Sequence, residues 1–345
     1  MTTTIELRSD NAAGVAPEIV EAIVAANVGS ALAYGDDAWT AQLRGIVREV
    51  FDHPTAEVFP VVSGTAANSL SLSALCPPWG AVLCHETAHI IQSEGGATSL
   101  FGGGAVMRGV GGDGFRIAAN ELQAALAAVR WGDPHHSQPA ALSLTLPSDY
   151  GTVYSPAQVA ELADVAKSRG LRVHIDGARI ANAIAALGCS PADLTWRAGA
   201  DIISLGGNKN GTMSTDAIVS FDEQASAELV YRVKRAGHVA SKMRYQSAQL
   251  SAYLTDGLWL RLARRANEAM AKLANGLADL GVDVVNEAEV NMLFLRISDA
   301  VADALADAGL LFYRMGRSEA RFVTSFQTTP AEVDAILAIV SKALG

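Results

Sequence analysis

The chain has 345 residues and a formal net charge of −10 at pH 7, which argues against a nucleic-acid or acidic-membrane partner because both require a basic surface. No run of about 18 apolar residues occurs, and residues 1–6 lack the basic start and apolar core of a signal peptide. Three cysteines without a C-x-x-C pair argue against a disulfide framework or a zinc ribbon. These features predict a soluble, cytoplasmic protein, and the alanine-rich composition favours an oligomer.

Helical and strand periodicities alternate along most of the chain. The 3.6-residue pattern predicts helices at 18–26, 39–51, 66–75, 121–129, 156–169, 223–236, 258–280, 300–308 and 330–344. Short apolar runs bounded by Gly, Pro or Asp predict strands at 57–62, 81–84, 105–107, 140–146, 171–175, 201–205 and 217–221. Seven buried strands interleaved with helices indicate a mainly parallel sheet covered on both faces.

The C-terminal part has a different pattern. Apolar runs at 282–285, 292–297 and 321–325, together with two helices, predict a smaller α+β unit. The sequence therefore predicts a large ligand-binding domain over 1–250, with the N-terminal segment contributing to the site, and a small domain over 251–345.

The first candidate site follows the 57–62 strand. Ser63, Gly64 and Thr65 form a small-residue turn that opens a helix, where free backbone N–H groups and the helix dipole suit a phosphate. An ordinary helix cap is the alternative explanation. After the next strand, His89 could lie over a flat cofactor and Glu94 could act as a base or orient a water, although a structural histidine is the more common case.

Two adjacent histidines, His135 and His136, precede the 140–146 strand. Neighbouring residues of a strand point to opposite faces and no third ligand is evident, so no metal site is predicted.

Asp176 ends the next apolar strand, at the edge where open α/β sheets bind ligands. A helix cap explains an aspartate before Gly-Ala-Arg equally well. Arg179 follows on the same side of the turn and can donate to an anionic oxygen, with a solvated helix arginine as the alternative.

Lys209 lies in the glycine-flanked turn Gly206-Gly-Asn-Lys-Asn-Gly211 after the following strand. Partial burial beside other cations would provide the neutral amine that a Schiff base needs, and a surface hairpin is the alternative. A carboxylate and an amine at the ends of neighbouring strands form the arrangement that holds pyridoxal 5'-phosphate, with Asp176 on the pyridinium nitrogen and Lys209 on the aldehyde.

In chain order, these stretches resemble the L-threonine aldolases of the aspartate-aminotransferase-like pyridoxal-phosphate enzymes, fold type I. The resemblance rests on Leu7-Arg-Ser-Asp10, Tyr34-Gly-Asp-Asp37, Ser63-Gly-Thr65, Ala88-His89 with Glu94, His174-Ile-Asp-Gly-Ala-Arg179, the Lys209 turn, Ser241-Lys-Met-Arg244 and Arg321-Phe-Val-Thr324. The Lys209 turn is closer to the low-specificity branch that accepts phenylserine-like substrates. Leu146-Pro-Ser-Asp-Tyr-Gly151 replaces a more familiar Asn-Thr-His-Asn-Gly pattern.

The resemblance implies a role for each matching residue. Lys209 would bind the cofactor covalently, Asp176 would pair with its ring nitrogen, His89 would stack on the ring, and Ser63, Gly64 and Thr65 would hold the phosphate. Ser9, Arg179 and Arg321 would surround the substrate carboxylate and the phenolic oxygen of the cofactor, and His135 would contact the β-hydroxyl. Tyr34 and Arg244 would reach across a subunit boundary in a homotetramer built as a dimer of dimers.

The implied reaction is cleavage of L-threonine, L-allo-threonine or related β-hydroxy-α-amino acids to glycine and an aldehyde. His135 is the leading contact for the β-hydroxyl, and Glu94 acting through a water is the second. A β-eliminating lyase or an aminotransferase on the same scaffold is the nearest alternative. A nucleotide-binding or structural α/β protein is a more distant one, without a supporting P-loop or dinucleotide motif.

Overall fold

The computed structural model describes residues 4–345, so residues 1–3 of the predicted signal-free N-terminus lie outside the described part. The strands are β1 (Ile5–Glu6), β2 (Glu57–Val61), β3 (Gly80–His85), β4 (Val106–Val110), β5 (Gln138–Thr145), β6 (Arg172–Gly177), β7 (Ile202–Leu205), β8 (Asp216–Ser220), β9 (Asp283–Val284), β10 (Met292–Arg296), β11 (Leu310–Leu311), β12 (Tyr313–Arg314) and β13 (Glu319–Val323). The strands predicted for the large sheet correspond to β2 through β8.

The helices follow the predicted order, with additions. They are α1 (Pro17–Ala26), α2 (Ala38–Val50), α3 (Gly64–Leu75), α4 (His89–Gln92), α5 (Ala97–Phe101), α6 (Ala119–Ala127), α7 (Pro156–Lys167), α8 (Ile180–Leu187), α9 (Glu223–Arg235), α10 (Arg244–Leu254), α11 (Leu258–Asp279), α12 (Asp299–Asp307) and α13 (Pro330–Leu344). Helices α8 and α10 and the short α4 and α5 were not predicted. None of the helices described over residues 4–345 combines the length and apolar character needed to cross a membrane.

The large sheet has the order β2-β8-β7-β6-β5-β3-β4. All its strands run in one direction except β8, which is antiparallel to both of its neighbours. This confirms the predicted mainly parallel, seven-stranded α/β sheet. Because β8 is reversed, its first residue, Asp216, lies at the same edge as the last residues of the parallel strands.

Helices cover both faces of the sheet, which explains the nearly continuous apolar runs of its strands. Strands β3 and β7 are buried at every position. Successive residues of β5 enter different cores: Ala141 packs with α3 and α9 on one face, and Leu142 packs with α2, α7 and α11 on the other.

The small antiparallel sheet has the order β12-β13-β10-β9 and packs against α11, α12 and α13. The predicted C-terminal α+β unit is therefore present. One detail differs from the predicted division at residue 250. Strand β1 pairs in parallel with β11, and Ile5 and Leu7 are buried in the core of the small unit, so the first described residues pack with the C-terminal part of the chain.

Candidate active site

A pocket of about 220 Å³ lies at the carboxyl edge of the large sheet. The turns after β2, β3, β5, β6 and β7 all reach it, because these strands end at one edge. Its lining residues are Asn11, Ser63, Gly64, Thr65, Asn68, His89, Glu94, Thr145, Pro147, Asp149, Asp176, Ala178, Arg179, Asn208, Lys209 and Asp216. The structure thus brings together most of the side chains that the sequence singled out.

Asp176 lies at the end of β6 and is 3 % exposed. Its Oδ1 accepts a hydrogen bond from the Ala178 N–H at 3.1 Å, as a helix-capping aspartate would. Its Oδ2 accepts a second bond from the Asn68 amide at 2.9 Å. The carboxylate therefore serves both as a turn-forming group and as a fixed negative charge at the pocket wall.

Asn68 on α3 connects Asp176 to a second carboxylate. The same amide nitrogen donates to Glu94 Oε1 at 2.8 Å, and His89 Nδ1 donates to that oxygen at 2.9 Å. The hydrogen bond to Glu94 raises the pKa of His89, although partial burial acts in the opposite direction. The His89 ring is thereby held by its Nδ1, with its side chain still 37 % exposed toward the pocket.

The Lys209 turn is built by close backbone packing. A Cβ on Gly206 would lie 2.1 Å from the Ala178 carbonyl oxygen, so the turns after β6 and β7 approach as closely as glycine allows. Asp216 accepts hydrogen bonds from the N–H groups of Gly207 at 2.7 Å and Asn208 at 2.9 Å, which fixes the turn.

The Lys209 amine lies in a desolvated and partly cationic environment. Burial, followed by the charge of Arg179, lowers the pKa of Lys209, although Asp10, Asp176 and Asp216 oppose the shift. A lower pKa increases the fraction of neutral, nucleophilic amine at neutral pH. The predicted surface-hairpin alternative is excluded, because Lys209 lines the pocket.

The turn from β2 into α3 forms another wall. Ser63 caps the helix by accepting a hydrogen bond from the Ala66 N–H at 3.3 Å. The first N–H groups of a helix have no partner within the helix, so those of Gly64 and Thr65 are available to an anion in the pocket. Asn208 bonds to the Val62 carbonyl at 3.1 Å and holds this turn beside the Lys209 turn.

Arg179 is bound by a carboxylate that the sequence analysis did not single out as a site residue. Its Nε and Nη2 donate to the two oxygens of Asp10 at 2.6 and 2.9 Å. The Asn291 amide donates a further hydrogen bond to Asp10 Oδ2 at 3.0 Å. Burial alone would raise the pKa of Asp10, but the charge and hydrogen bonds of Arg179 outweigh it and lower that pKa. Ser9 accepts a bond from the Asn11 N–H at 3.2 Å and does not line the pocket.

Arg321 on β13 lies near the pocket without lining it. Its Nη2 donates to the Arg8 carbonyl at 3.1 Å, and its Nε is buried without a partner among the described residues. Burial and the nearby charge of Arg179 lower the pKa of Arg321.

Tyr34 and Arg244 lie outside this pocket. Tyr34 is 56 % exposed with a positive φ of 61°, and Lys234 lies over its ring at 4.5 Å. Arg244 donates to the Gly29 carbonyl at 3.2 Å. Neither contacts the pocket of its own chain.

His135 does not line the pocket of its own chain. His135 lies in the exposed turn before β5, and β5 runs parallel to β6. The eight residues of β5 span roughly 26 Å at about 3.3 Å per residue, so His135 is at the opposite edge of the sheet.

The pocket also contains residues that the sequence analysis missed as site residues, among them Asn68, Asp149 and Asp216. The position of Asp149 followed from the predicted strands, because it comes after β5 at the edge that already carried Asp176. Asp216 begins β8 and lies at this edge only because that strand is reversed. Polar residues at every strand end of that edge were the available signal.

Comparisons with known proteins agree with this geometry. A family profile described as "Beta-eliminating lyase" matches residues 6–300. A low-specificity L-threonine aldolase of Pseudomonas sp. (strain NCIMB 10558) is 39 % identical over 330 residues, which cover 95 % of this chain and 94 % of that one. The enzyme of that name from Escherichia coli (strain K12) is 28 % identical and covers 88 % and 87 %.

Solved structures share the whole fold. A threonine aldolase from Leishmania major superposes with a TM-score of 0.91 at 22 % identity, covering 99 % of both chains. A serine palmitoyltransferase from S. paucimobilis with a bound pyridoxal-phosphate adduct superposes with a TM-score of 0.72 at 17 % identity, covering 99 % of this chain and 87 % of that one.

Fold, pocket and sequence matches together define a pyridoxal-phosphate enzyme of fold type I, in which a buried lysine and a strand-terminal aspartate share one pocket beside a helix N-terminus. The sequence matches narrow that class. The chain belongs to the beta-eliminating lyase family and, within it, to the low-specificity L-threonine aldolases.

Proposed function

We propose that this chain cleaves the Cα–Cβ bond of L-threonine, L-allo-threonine and related β-hydroxy-α-amino acids, phenylserine-like ones included, to yield glycine and an aldehyde. The observation that carries the proposal is the shared pocket of Lys209 and Asp176 in a chain that is 39 % identical to low-specificity L-threonine aldolases. The pocket supports the cofactor, and the relatives support the choice of substrate.

The pocket residues fit pyridoxal 5'-phosphate. Lys209 supplies an amine of lowered pKa, and Asp176 supplies a carboxylate held by two hydrogen bonds for the ring nitrogen. The helix start at Gly64 and Thr65, capped by Ser63, supplies free N–H groups for the phosphate. His89, held by Glu94, has its ring available to cover the cofactor ring.

When bound, the cofactor supplies a protonated pyridine ring that withdraws electron density from the substrate Cα. The chain's own residues make this chemistry possible. Asp176 would pair with the ring nitrogen and hold a proton there, and Lys209 would bind the aldehyde through its neutral amine. Fixed charges of this kind provide the largest catalytic contribution in many enzymes.

The substrate carboxylate is held, in this proposal, by Arg321 with Ser9 nearby. Arg321 has a buried Nε without a partner among the described residues, whereas two nitrogens of Arg179 are occupied by Asp10. Arg179 therefore donates, from the part of its guanidinium that Asp10 does not occupy, to the phenolic oxygen of the cofactor or to the substrate carboxylate. Holding the carboxylate orients the Cα–Cβ bond for cleavage.

Tyr34 and Arg244 act, in this proposal, on the pocket of a neighbouring subunit in a cytoplasmic homotetramer. Both lie away from the pocket of their own chain, and Tyr34 is exposed. His135 keeps a role at the β-hydroxyl only in such a shared site, because its own pocket is at the other edge of the sheet. Glu94 can still orient a water through its Oε2, which has no partner among the described residues.

Product analysis tests this function. We expect L-threonine to yield glycine and acetaldehyde, whereas a β-eliminating lyase would release ammonia and an aminotransferase would form a keto acid. The purified protein is expected to be yellow, and borohydride should abolish its visible band and leave a reduced adduct on Lys209. Lys209→Ala is expected to be colourless, and an unchanged spectrum in that variant would contradict the covalent role.

A further inference from the structure

Carboxylates crowd the pocket, and nearly all of them are held by protein donors. Asp176 and Glu94 each accept a hydrogen bond from Asn68, and each accepts a second one from Ala178 or His89, respectively. Asp216 accepts hydrogen bonds from the turn before Lys209. Each of these carboxylates is therefore fixed as a structural or electrostatic group.

Asp149 is the exception among the carboxylates lining the pocket. Its Oδ2 is buried and has no hydrogen-bond partner in the part of the chain that the structure describes, whereas each of the other pocket carboxylates accepts at least two hydrogen bonds. A buried carboxylate without donors is costly, so a native site retains one where a ligand or a proton completes it. Asp149 thus lies in the pocket as an unfilled hydrogen-bond acceptor.

The surroundings of Asp149 make it a proton acceptor that works near neutral pH. Burial, and then the neighbouring charge of Asp176, raise the pKa of Asp149 to about 6, while His89, Lys209 and Arg179 act in the opposite direction. These charged groups face Asp149 from the turns after β3, β6 and β7, and Arg321 interacts with it from β13. A base is most effective when its pKa lies close to the working pH.

Other candidates for this role are less suited, since Glu94 has only its Oε2 left without a partner among the described residues. Glu94 Oε1 accepts hydrogen bonds from both Asn68 and His89, and His89 uses its Nδ1 in that contact. His135 lies at the far edge of the sheet. Asp149 comes from the turn after β5, the strand that pairs with β6 and so ends beside Asp176.

We propose that Asp149 is the catalytic residue that accepts the proton of the substrate β-hydroxyl during Cα–Cβ cleavage. This inference rests on the function proposed above. The O–H bond breaks and its proton moves to the Asp149 carboxylate, while the oxygen electron pair forms the aldehyde C=O bond. The Cα–Cβ bond breaks at the same time, and its electron pair stays on Cα, from which the cofactor withdraws it. Asp149 then releases the proton to solvent.

The variant Asp149→Asn tests this role, because an amide has nearly the shape of a carboxylate but cannot accept the proton. We expect kcat/KM for L-threonine to fall by about 10²–10⁴-fold. Exchange of the glycine α-hydrogen with solvent deuterium requires no β-hydroxyl, so it should stay within a few-fold of the parent. The visible cofactor band should also persist, which shows that the site is intact. The exposed Asp113→Asn serves as the matched control.

A spectroscopic measurement complements the kinetics. Infrared titration of the holoenzyme should show a carboxylic C=O band that disappears with rising pH, at the midpoint where kcat/KM for L-threonine rises, and this band should be missing in Asp149→Asn. The kinetic limb on the acid side should be missing as well. The infrared band and the acid limb both report the proton on Asp149 itself. A purely structural role of Asp149 would produce neither.

Two results would overturn the assignment while leaving the aldolase function in place. One is cleavage by Asp149→Asn within a few-fold of the parent, and the other is loss of the visible band and of glycine exchange along with cleavage. Absence of an Asp149-dependent infrared band would have the same meaning. If the parent protein itself releases no glycine from L-threonine, the proposed function fails, and the assignment of Asp149 fails with it.

Discussion

Asn68 shows how one amide can organise a pocket of carboxylates. It donates to Asp176 at 2.9 Å and to Glu94 at 2.8 Å, and Glu94 in turn holds His89. Both hydrogens of the amide nitrogen are therefore used on charged acceptors. Through Asn68, the carboxylate proposed for the ring nitrogen and the histidine proposed for the ring face are set by one residue of α3.

Asn68→Ala should therefore weaken cofactor binding. Hydrogen bonds to charged groups contribute about 1.5–3 kcal/mol, so the affinity for pyridoxal phosphate is expected to fall by roughly 10- to 150-fold. Titration of the cofactor-free protein with pyridoxal phosphate, followed by the visible band, measures the change. The exposed Asn120→Ala is the control, and equal affinities for both variants would refute the bridging role.

A second prediction at the scale of the residue concerns how Asp149 makes the free energy of unfolding depend on pH. Its pKa of about 6 in the folded chain lies above the ordinary value of 3.8, so the folded state binds this proton more tightly than the unfolded state. The proton on Asp149 stabilises the folded state fully below the ordinary pKa of 3.8, and this stabilisation is lost as the pH rises through about 6. Relative to Asp149→Asn, the cofactor-free parent should lose up to about 3 kcal/mol of unfolding free energy over that window.

Urea unfolding of both cofactor-free proteins at several pH values checks this. Asp113→Asn, which changes an exposed carboxylate, should follow the parent throughout. A difference between the parent and Asp149→Asn that stays constant with pH would mean that the carboxyl group titrates normally in the folded chain.

Some residues of this site could be predicted from the sequence and others could not, for physical reasons. Asp176 and Lys209 could be found because they stand next to strands that were recognisable by their apolar runs. Asn68 could not, because its role depends on a hydrogen bond across two elements. The role of His135 was implied by the resemblance alone, and its place before the parallel strand β5 puts it at the edge opposite Asp176.

At the scale of elements, the turn after β7 depends on glycine for its position. A Cβ on Gly206 would lie 2.1 Å from the Ala178 carbonyl oxygen, which belongs to rigid backbone and cannot move aside. The turns that carry Asp176 and Lys209 are thereby held at a fixed separation. The distance between Asp176 and Lys209 across the pocket is therefore set by backbone contact as much as by the two side chains.

Gly206→Ala should disturb this separation. We expect a destabilised protein that binds pyridoxal phosphate poorly, with a loss of unfolding free energy of about 1–3 kcal/mol from overpacking. Gly45→Ala on α2 is the matched control: its Cβ meets no atom within 4 Å, so helix propensity should make it neutral or stabilising by about 0.5–1 kcal/mol. Thermal melts with the visible band as a second readout test both variants, and equal behaviour would contradict the packing argument.

The two longest of the unpredicted helices, α8 and α10, escaped sequence-based prediction for a shared reason. Helix α10 is buried at most of its positions and helix α8 at its first five, so neither shows a sustained alternation of polar and apolar faces that marks a surface helix. Strands β1 and β11 were missed because each has two residues and their pairing joins distant parts of the chain. Long amphipathic helices such as α11 and α13 were predicted nearly to their ends.

At the scale of the molecule, the N-terminal segment and the small unit meet the large unit beside the pocket. Asp10 follows a segment that packs with the small unit, Asn291 precedes β10 of that unit, and Arg179 stands at the start of α8 in the large one. Because Asp10 is buried and Arg179 is mostly buried, removing either partner leaves a charge without its counter-ion in a largely dry environment. The ion pair therefore couples the position of the small unit to the geometry of the site.

The proposed sharing of sites between subunits makes a final prediction that does not require a structure of the assembly. Lys209→Ala removes the cofactor lysine, and Arg244→Ala removes a residue that lies away from its own pocket but is proposed to act on the neighbouring one. Each variant alone should be nearly inactive. When the two are expressed together, each hybrid pair contains one site with both residues intact, so random mixing should restore about a quarter of the parent activity.

The size of the recovery decides between the two geometries. If Arg244 acted on the pocket of its own chain, every site in a hybrid would lack one of the two residues and the mixture would stay inactive. Co-expression of Lys209→Ala with Asp176→Asn provides the control, because both residues line one pocket and no mixture can rebuild it. Recovery with Arg244→Ala but not with Asp176→Asn would show that a complete site needs two chains, as the exposed position of Tyr34 also suggests.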